Sequence, residues 1–120
     1  MRLRRRYSIC SILSLKNDYY NVSKISKLEA KYGEEFNWGT DLKPEYFETE
    51  LKRETTIAPF KSVKAIARSY SNDDVLFVLD DEVYRIYHLT YSGSNPRYQE
   101  FTDGQAAVDY IEKQFLNEYL

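Results

Sequence analysis

The side chains able to do nucleophilic or metal chemistry are scarce in this sequence, which has one histidine and one cysteine among 120 residues. A cysteine–histidine pair would need Cys10 beside His88, and nothing in the sequence brings them together. A Cys/His zinc site needs three or four such ligands. We therefore expect neither a catalytic cysteine nor a bound metal.

Neighbouring carboxylates are the other candidates for chemistry, and they occur at Glu34/Glu35, Asp73/Asp74 and Asp80/Asp81. Each pair lies in or next to a predicted turn, where acids keep the chain soluble and bond to the local backbone. The four glycines do not form a phosphate-binding or dinucleotide-binding loop. We expect a protein that is not an enzyme and that carries no cofactor.

His88 lies in the apolar segment Val83–Tyr91, where alternation places it on one face with Tyr84 and Ile86. The opposite face is also partly apolar, so the pattern leaves open which face is buried. We interpret His88 as a hydrogen-bonded residue at a sheet edge. The alternative is a histidine that contacts a partner or senses pH.

Three helices are predicted to support these residues. Apolar residues at helical spacing predict a first helix over about 23–32, ended by Gly33, and a second beginning at Pro44. Thr102 and Gln105 form a capping box for the last helix. Its buried stripe consists of Ala107, Val108, Ile111, Phe115 and Leu116.

Between the second and last helices the pattern changes to strands. Segments 63–70, 75–80 and 83–91 are rich in Val, Ile, Phe and Tyr and are separated by acidic turns, and a short strand reaches Phe101. The element order is helix, helix, strands, helix. This order predicts a single α+β domain over residues 1–120, with a three- to four-stranded antiparallel sheet packed by helices.

Charge is distributed unevenly along the chain. Residues 1–31 carry eight basic and two acidic residues, whereas 32–120 carry nine basic and seventeen acidic ones. We interpret residues 1–6, with Arg2 and Arg4–Arg6, as a flexible basic arm. The segment lacks a signal-peptide cleavage site, and the longest apolar run, Val75–Leu79, is too short to cross a membrane. We expect a cytoplasmic protein with a reduced Cys10.

The motifs of the first half resemble a known family. Ile25-x-x-Leu28-Glu29-x-x-Tyr32-Gly33, followed by Leu42-Lys43-Pro44-Glu45-Tyr46-x-x-x-x-Leu51, resembles the opening of the SUKH superfamily of bacterial immunity proteins. The segment from His88 to Gly93 also resembles one found in small uncharacterised bacterial proteins. The SUKH resemblance implies a non-catalytic protein that binds and neutralises a cognate toxin.

Aromatic and acidic residues are the candidate partner-binding set. Twelve tyrosines are many for this length; we assign Tyr32, Tyr46, Tyr84 and Tyr110 to the core, and Trp38, Tyr91 and Tyr98 to the surface as anchors. Asp80, Asp81 and Glu82 should project from a hairpin tip towards a basic toxin domain.

The alternative function is a nucleic-acid-associated protein that uses the basic arm. The acidic balance, with an isoelectric point near 5.5, disfavours nucleic acid. The sequence leaves the oligomeric state open.

Overall fold

The computed structural model describes residues 23–92 and 95–119. The chain begins there with helix α1, over 23–32, which passes into a 3₁₀ turn at Gly33–Glu35. Gly33 has φ +70°, the left-handed conformation in which a glycine ends a helix. The first predicted helix is therefore confirmed, whereas the basic arm and Cys10 lie outside the described residues.

Five antiparallel strands form one sheet in the simple order β1-β2-β3-β4-β5. The sheet confirms the α+β prediction, with one strand more than expected. The additional strand is β1, whose two residues are too few to show an alternating pattern. The strands are β1 Trp38–Gly39, β2 Val63–Ser69, β3 Asp74–Leu79, β4 Val83–His88 and β5 Arg97–Phe101.

Helices cover both faces of this sheet. Helix α2, Pro44–Glu54, packs on one face through Phe47 and Leu51, whereas α1 and α3, Gly104–Tyr119, pack on the other. Strand β4 therefore has two apolar faces, with Ile86 buried towards α1 and α3 and Tyr87 towards α2. Because both faces of β4 are covered, the alternation of apolar residues along it does not distinguish a buried face from an exposed one.

A bulge in β2 changes which of its residues point to each core. The pairing with β3 shifts between Ala65 and Ala67. Val63 and Ala65 face α2, whereas Ala67 faces α1 and α3. The extra residue reverses the alternation, as a bulge does.

Helix α3 begins at Gly104 and is capped by the residue before it. The Asp103 carboxylate accepts a hydrogen bond from the backbone N–H of Ala106 at 2.8 Å. The capping box predicted from Thr102 and Gln105 is therefore wrong. The N-cap is the acidic residue one position later, which accepts from a free backbone N–H of the first turn. The predicted stripe is confirmed, since Ala107, Val108, Ile111 and Phe115 are buried.

The two ends of the sheet differ in their loops. The hairpin end is formed by the turn at residues 80–82, between β3 and β4. The turn end is formed by residues 70–73 and 89–92, which are joined by a bond from the Leu89 N–H to the Asp73 carbonyl. A six-residue strand is about 20 Å long, which separates the two ends.

Candidate functional site

The acidic turn at the hairpin end has a backbone reason for its composition. Asp80 and Asp81 have φ values of +52° and +57°, and the Glu82 N–H donates to the Leu79 carbonyl. Consecutive residues with positive φ inside such a hydrogen bond are typical of a type I′ turn, whose twist suits a β-hairpin. Aspartate tolerates this conformation better than most residues.

The carboxylates of this turn are engaged within the protein. Asp80 accepts from the backbone N–H groups of Lys61 and Ser62 at 2.8 Å each, and these bonds lower the pKa of Asp80. Asp81 pairs with Lys64 at 3.3 Å. The three acids thus lie at the tip of the predicted hairpin, but the carboxylates of Asp80 and Asp81 are engaged by neighbouring segments of the protein.

Trp38 is buried, with 6% of its surface exposed, so its prediction as a surface anchor is wrong. Its strand pairs with Ser69, and its ring packs into the core beneath α1 and α3. The polar residues around Trp38 predict a loop, so the sequence pattern does not indicate this short strand.

Tyr91 and Tyr98 are exposed, as predicted. The Tyr98 ring lies against Tyr87 at a centroid distance of 4.9 Å, with the Arg85 guanidinium 4.2 Å from its centre. Tyr46, predicted as core, is instead 57% exposed. Its neighbour Phe47 takes the inward position on α2, and Tyr46 is left pointing outward.

Tyr46 and Tyr91 form a pair that we call the tyrosine patch. Their ring centroids are 6.5 Å apart and their planes differ by 29°. Tyr91 has φ +56°, which is a genuine outlier for a bulky residue. Such backbone strain persists only where surrounding contacts enforce it.

Glu54, at the end of α2, supplies those contacts. Its carboxylate is 4% exposed and accepts three bonds of 2.8 Å, from the Thr90 N–H, the Thr90 hydroxyl and the Tyr91 N–H. Burial would raise the pKa of Glu54, but the hydrogen bonds that its carboxylate accepts from Thr90 and Tyr91 favour the ionised form, and the pKa is lowered. An ionised carboxylate thus holds Tyr91 in place.

The sequence contains a signal for Glu54, although it is an acid and not part of an apolar pattern. Phe47, Leu51 and Glu54 follow helical spacing, so an acid occupies the buried stripe of α2. A buried carboxylate needs several hydrogen-bond donors. The backbone N–H groups of a loop can provide them, so a buried acid in a helix indicates a loop packed against it.

The surroundings of the tyrosine patch are acidic. The pKa of Tyr91 is raised to about 12, with burial as the largest cause. The neighbouring side chains of Tyr46, Asp73 and Glu50 contribute to this increase electrostatically. Burial and the neighbouring acids therefore keep the Tyr91 hydroxyl protonated well beyond neutral pH. An aromatic surface bordered by acids attracts cationic side chains.

The aromatic surface continues across a groove of about 310 Å³ beside Tyr46. The lining includes Phe47, Asp41 and Arg68. The Arg68 guanidinium lies 4.7 Å from the ring centre of Tyr70, which is also exposed. Tyr46 therefore lines the groove directly, and Tyr70 lies beside it through its contact with Arg68.

His88 lies away from this surface, on an inner strand rather than at an edge. Its Nδ1 is 2.7 Å from Asp74 Oδ1, so the hydrogen-bonded interpretation is confirmed and the edge position is wrong. Within residues 23–92 and 95–119, no three His, Cys, Asp or Glu side chains are grouped to hold a metal ion. No helix in that part of the chain has the length and apolar character needed to cross a bilayer.

Comparison with known proteins returned no matching family model, no matching curated protein and no matching solved structure.

Proposed function

We propose that this chain is a non-catalytic cytoplasmic protein-binding module of the immunity type, which neutralises a basic toxin domain by binding it through the tyrosine patch. The observation that carries the binding surface is the exposed Tyr46–Tyr91 pair, held by the buried Glu54 carboxylate. The immunity role rests on the resemblance of the first half to the SUKH superfamily.

The anchoring of Tyr91 supports a binding role because it opposes the local preference of the backbone. A left-handed residue other than glycine costs about 1–2 kcal/mol. Three bonds from one buried carboxylate offset that cost and keep the ring half exposed. A rigid, pre-positioned tyrosine loses little entropy on binding, which is why tyrosine is common among interface hot spots.

Charge supports a basic partner. Among residues 23–92 and 95–119, eighteen acidic and twelve basic residues give a net charge of −6. Asp73 and Glu50 both act on Tyr91 electrostatically. Acidic surroundings would speed the approach of a basic domain, and an arginine of that domain could stack on either ring.

The test is a quantitative capture experiment in the native host. Wild-type protein, the Tyr46→Ala/Tyr91→Ala variant and a Lys27→Ala control on α1 serve as baits. We expect a basic protein to be retained by the wild type and the control and lost by the double variant. Equal retention by all three baits would contradict a role for the tyrosine patch.

Neutralisation is tested separately from binding. The captured protein is expressed alone and with each bait, and growth is measured. We expect toxicity that wild type and Lys27→Ala suppress and the double variant does not. A captured protein that is harmless alone would contradict the immunity role while leaving the binding surface intact.

A further inference from the structure

Three polar residues form a row across the face of the sheet opposite the tyrosine patch. Asp74 on β3 lies directly opposite His88 on β4, which in turn lies opposite Arg97 on β5. Directly paired residues of antiparallel strands project from the same face. A groove of about 470 Å³ lies along this row and is also lined by Asn72, Gln99 and Tyr110. We call it the donor groove.

Arg97 is distinctive among the arginines of the described chain. It makes no hydrogen bond or ion pair with residues 23–92 and 95–119, and it is exposed. The other three arginines of that region all have partners, either carboxylates or backbone and hydroxyl groups: Arg53, Arg68 and Arg85. The donor groove thus contains a guanidinium that has no partner among the described residues, and its planar fork suits an oxyanion.

His88 adds a second group with spare capacity. Its Nδ1 bonds the Asp74 carboxylate, while Nε2 has no partner among the described residues. Because the Asp74 carboxylate can only accept, Nδ1–H donates to it, and a proton on Nε2 makes that nitrogen a second donor. The Asp74 carboxylate, the one acid of the row, thus fixes the orientation of the His88 ring, and its Oδ1 is engaged in that bond.

The neutral side chains around the groove also offer donors. The Asn72 Oδ1 accepts from the Asp74 N–H at 2.8 Å, which leaves the Asn72 amide NH₂ for another partner. The Gln99 amide and the Tyr110 hydroxyl have no hydrogen-bond partner within the described residues. These neutral groups add donors beside the two basic side chains, which suits a ligand that accepts hydrogen bonds.

We propose that the donor groove binds a small ligand through an oxyanion, a phosphoryl or carboxylate group, held between the Arg97 guanidinium and the Nε2–H of His88. Gln99, Asn72 and Tyr110 supply the neutral hydrogen bonds that orient it. The groove volume falls within the range of small-molecule sites. This proposal does not rest on toxin binding, because it concerns the opposite face of the sheet.

The proposal is tested by NMR titration of the full chain with inorganic phosphate and, separately, with acetate. We expect saturable shifts centred on Arg97, His88 and Gln99 with at least one of the two probes, and the responding probe identifies the oxyanion. Arg97→Gln and His88→Gln should each weaken binding about tenfold, since each removes one charge-assisted contact. Lys52→Gln, an equal charge change on α2, should leave the affinity unchanged.

The variants also distinguish binding through specific contacts from a general attraction of anions by positive charge. Gln99→Ala retains both charged groups and should weaken binding by less than Arg97→Gln does. No saturable shift with either probe would overturn the proposal. Equal weakening by Lys52→Gln and Arg97→Gln would also overturn it, because the anion would then be responding only to net charge.

Discussion

Replacing Glu54 by glutamine tests whether one buried carboxylate holds Tyr91 in its strained position. Glutamine has the same shape as glutamate but lacks the charge and one acceptor oxygen. One carbonyl oxygen can still accept both Thr90 donors, as Glu54 Oε1 does. The glutamine NH₂ then faces the Tyr91 N–H, so the third bond is lost.

The expected cost follows from these contacts. Hydrogen bonds to a charged group contribute about 1.5–3 kcal/mol each, so losing one and weakening two should cost about 3–5 kcal/mol. Release of Tyr91 from the left-handed region returns about 1–2 kcal/mol. We therefore expect Glu54→Gln to lower the free energy of unfolding by about 1–4 kcal/mol.

The pH dependence of stability gives the prediction a second readout. The folded-state pKa of Glu54 is lowered, so its contribution is fully present above the unfolded-state pKa and is lost as the pH falls through the folded-state pKa. We expect the urea-unfolding free energies of wild type and Glu54→Gln to differ most at neutral pH. The two should converge in the acidic range below the ordinary glutamate pKa.

Glu45→Gln is the matched control, because Glu45 is an exposed acid on the same helix. Near the helix start its charge contributes at most about 1 kcal/mol. A Glu54→Gln variant as stable as Glu45→Gln at neutral pH, with unchanged NMR signals for Tyr91, would refute the anchoring argument.

Further expected outcomes concern the core and two turns. Ile111→Ala and Phe115→Ala should each lower the free energy of unfolding by about 2–5 kcal/mol in urea, because both side chains are buried; changes within error would mean that α3 is not docked. Gly39→Ala should displace the Tyr70 ring, which a Cβ there would overlap, and unchanged Tyr70 NMR signals would contradict this close approach. Asp81→Val should cost about 1–2 kcal/mol more than Asp81→Gly, since valine disfavours positive φ; equal urea midpoints would argue against the type I′ turn.

The helices and inner strands could be predicted because their residues repeat a pattern over several turns or pairs. The stripe containing Ile111 and Phe115 persists through α3, and Pro44 and Gly33 mark a helix start and end. A two-residue strand such as β1 has no such repetition. Trp38 was therefore assigned to the surface, although strand pairing carries it into the core.

The candidate site was only partly predictable because its residues meet through tertiary contacts. Tyr91 could be identified from its loop context, but Tyr46 could not, since Tyr46 and Phe47 are adjacent and only packing decides which points inward. The link from Glu54 to Tyr91 spans 37 residues and leaves no periodic trace. Likewise, the three consecutive acids at 80–82 do not indicate that the Asp80 carboxylate accepts hydrogen bonds from the backbone at 61–62.

The affinity of the captured basic protein for purified wild type and for Tyr46→Ala/Tyr91→Ala, measured by calorimetric titration, tests the proposed binding surface most directly. Two hot-spot side chains together should make the double variant bind at least about 100-fold more weakly. The Lys27→Ala control should bind as wild type does. A double variant that remains folded and binds within about threefold of wild type would contradict the tyrosine patch as the binding surface, since truncated hot spots cost far more than that.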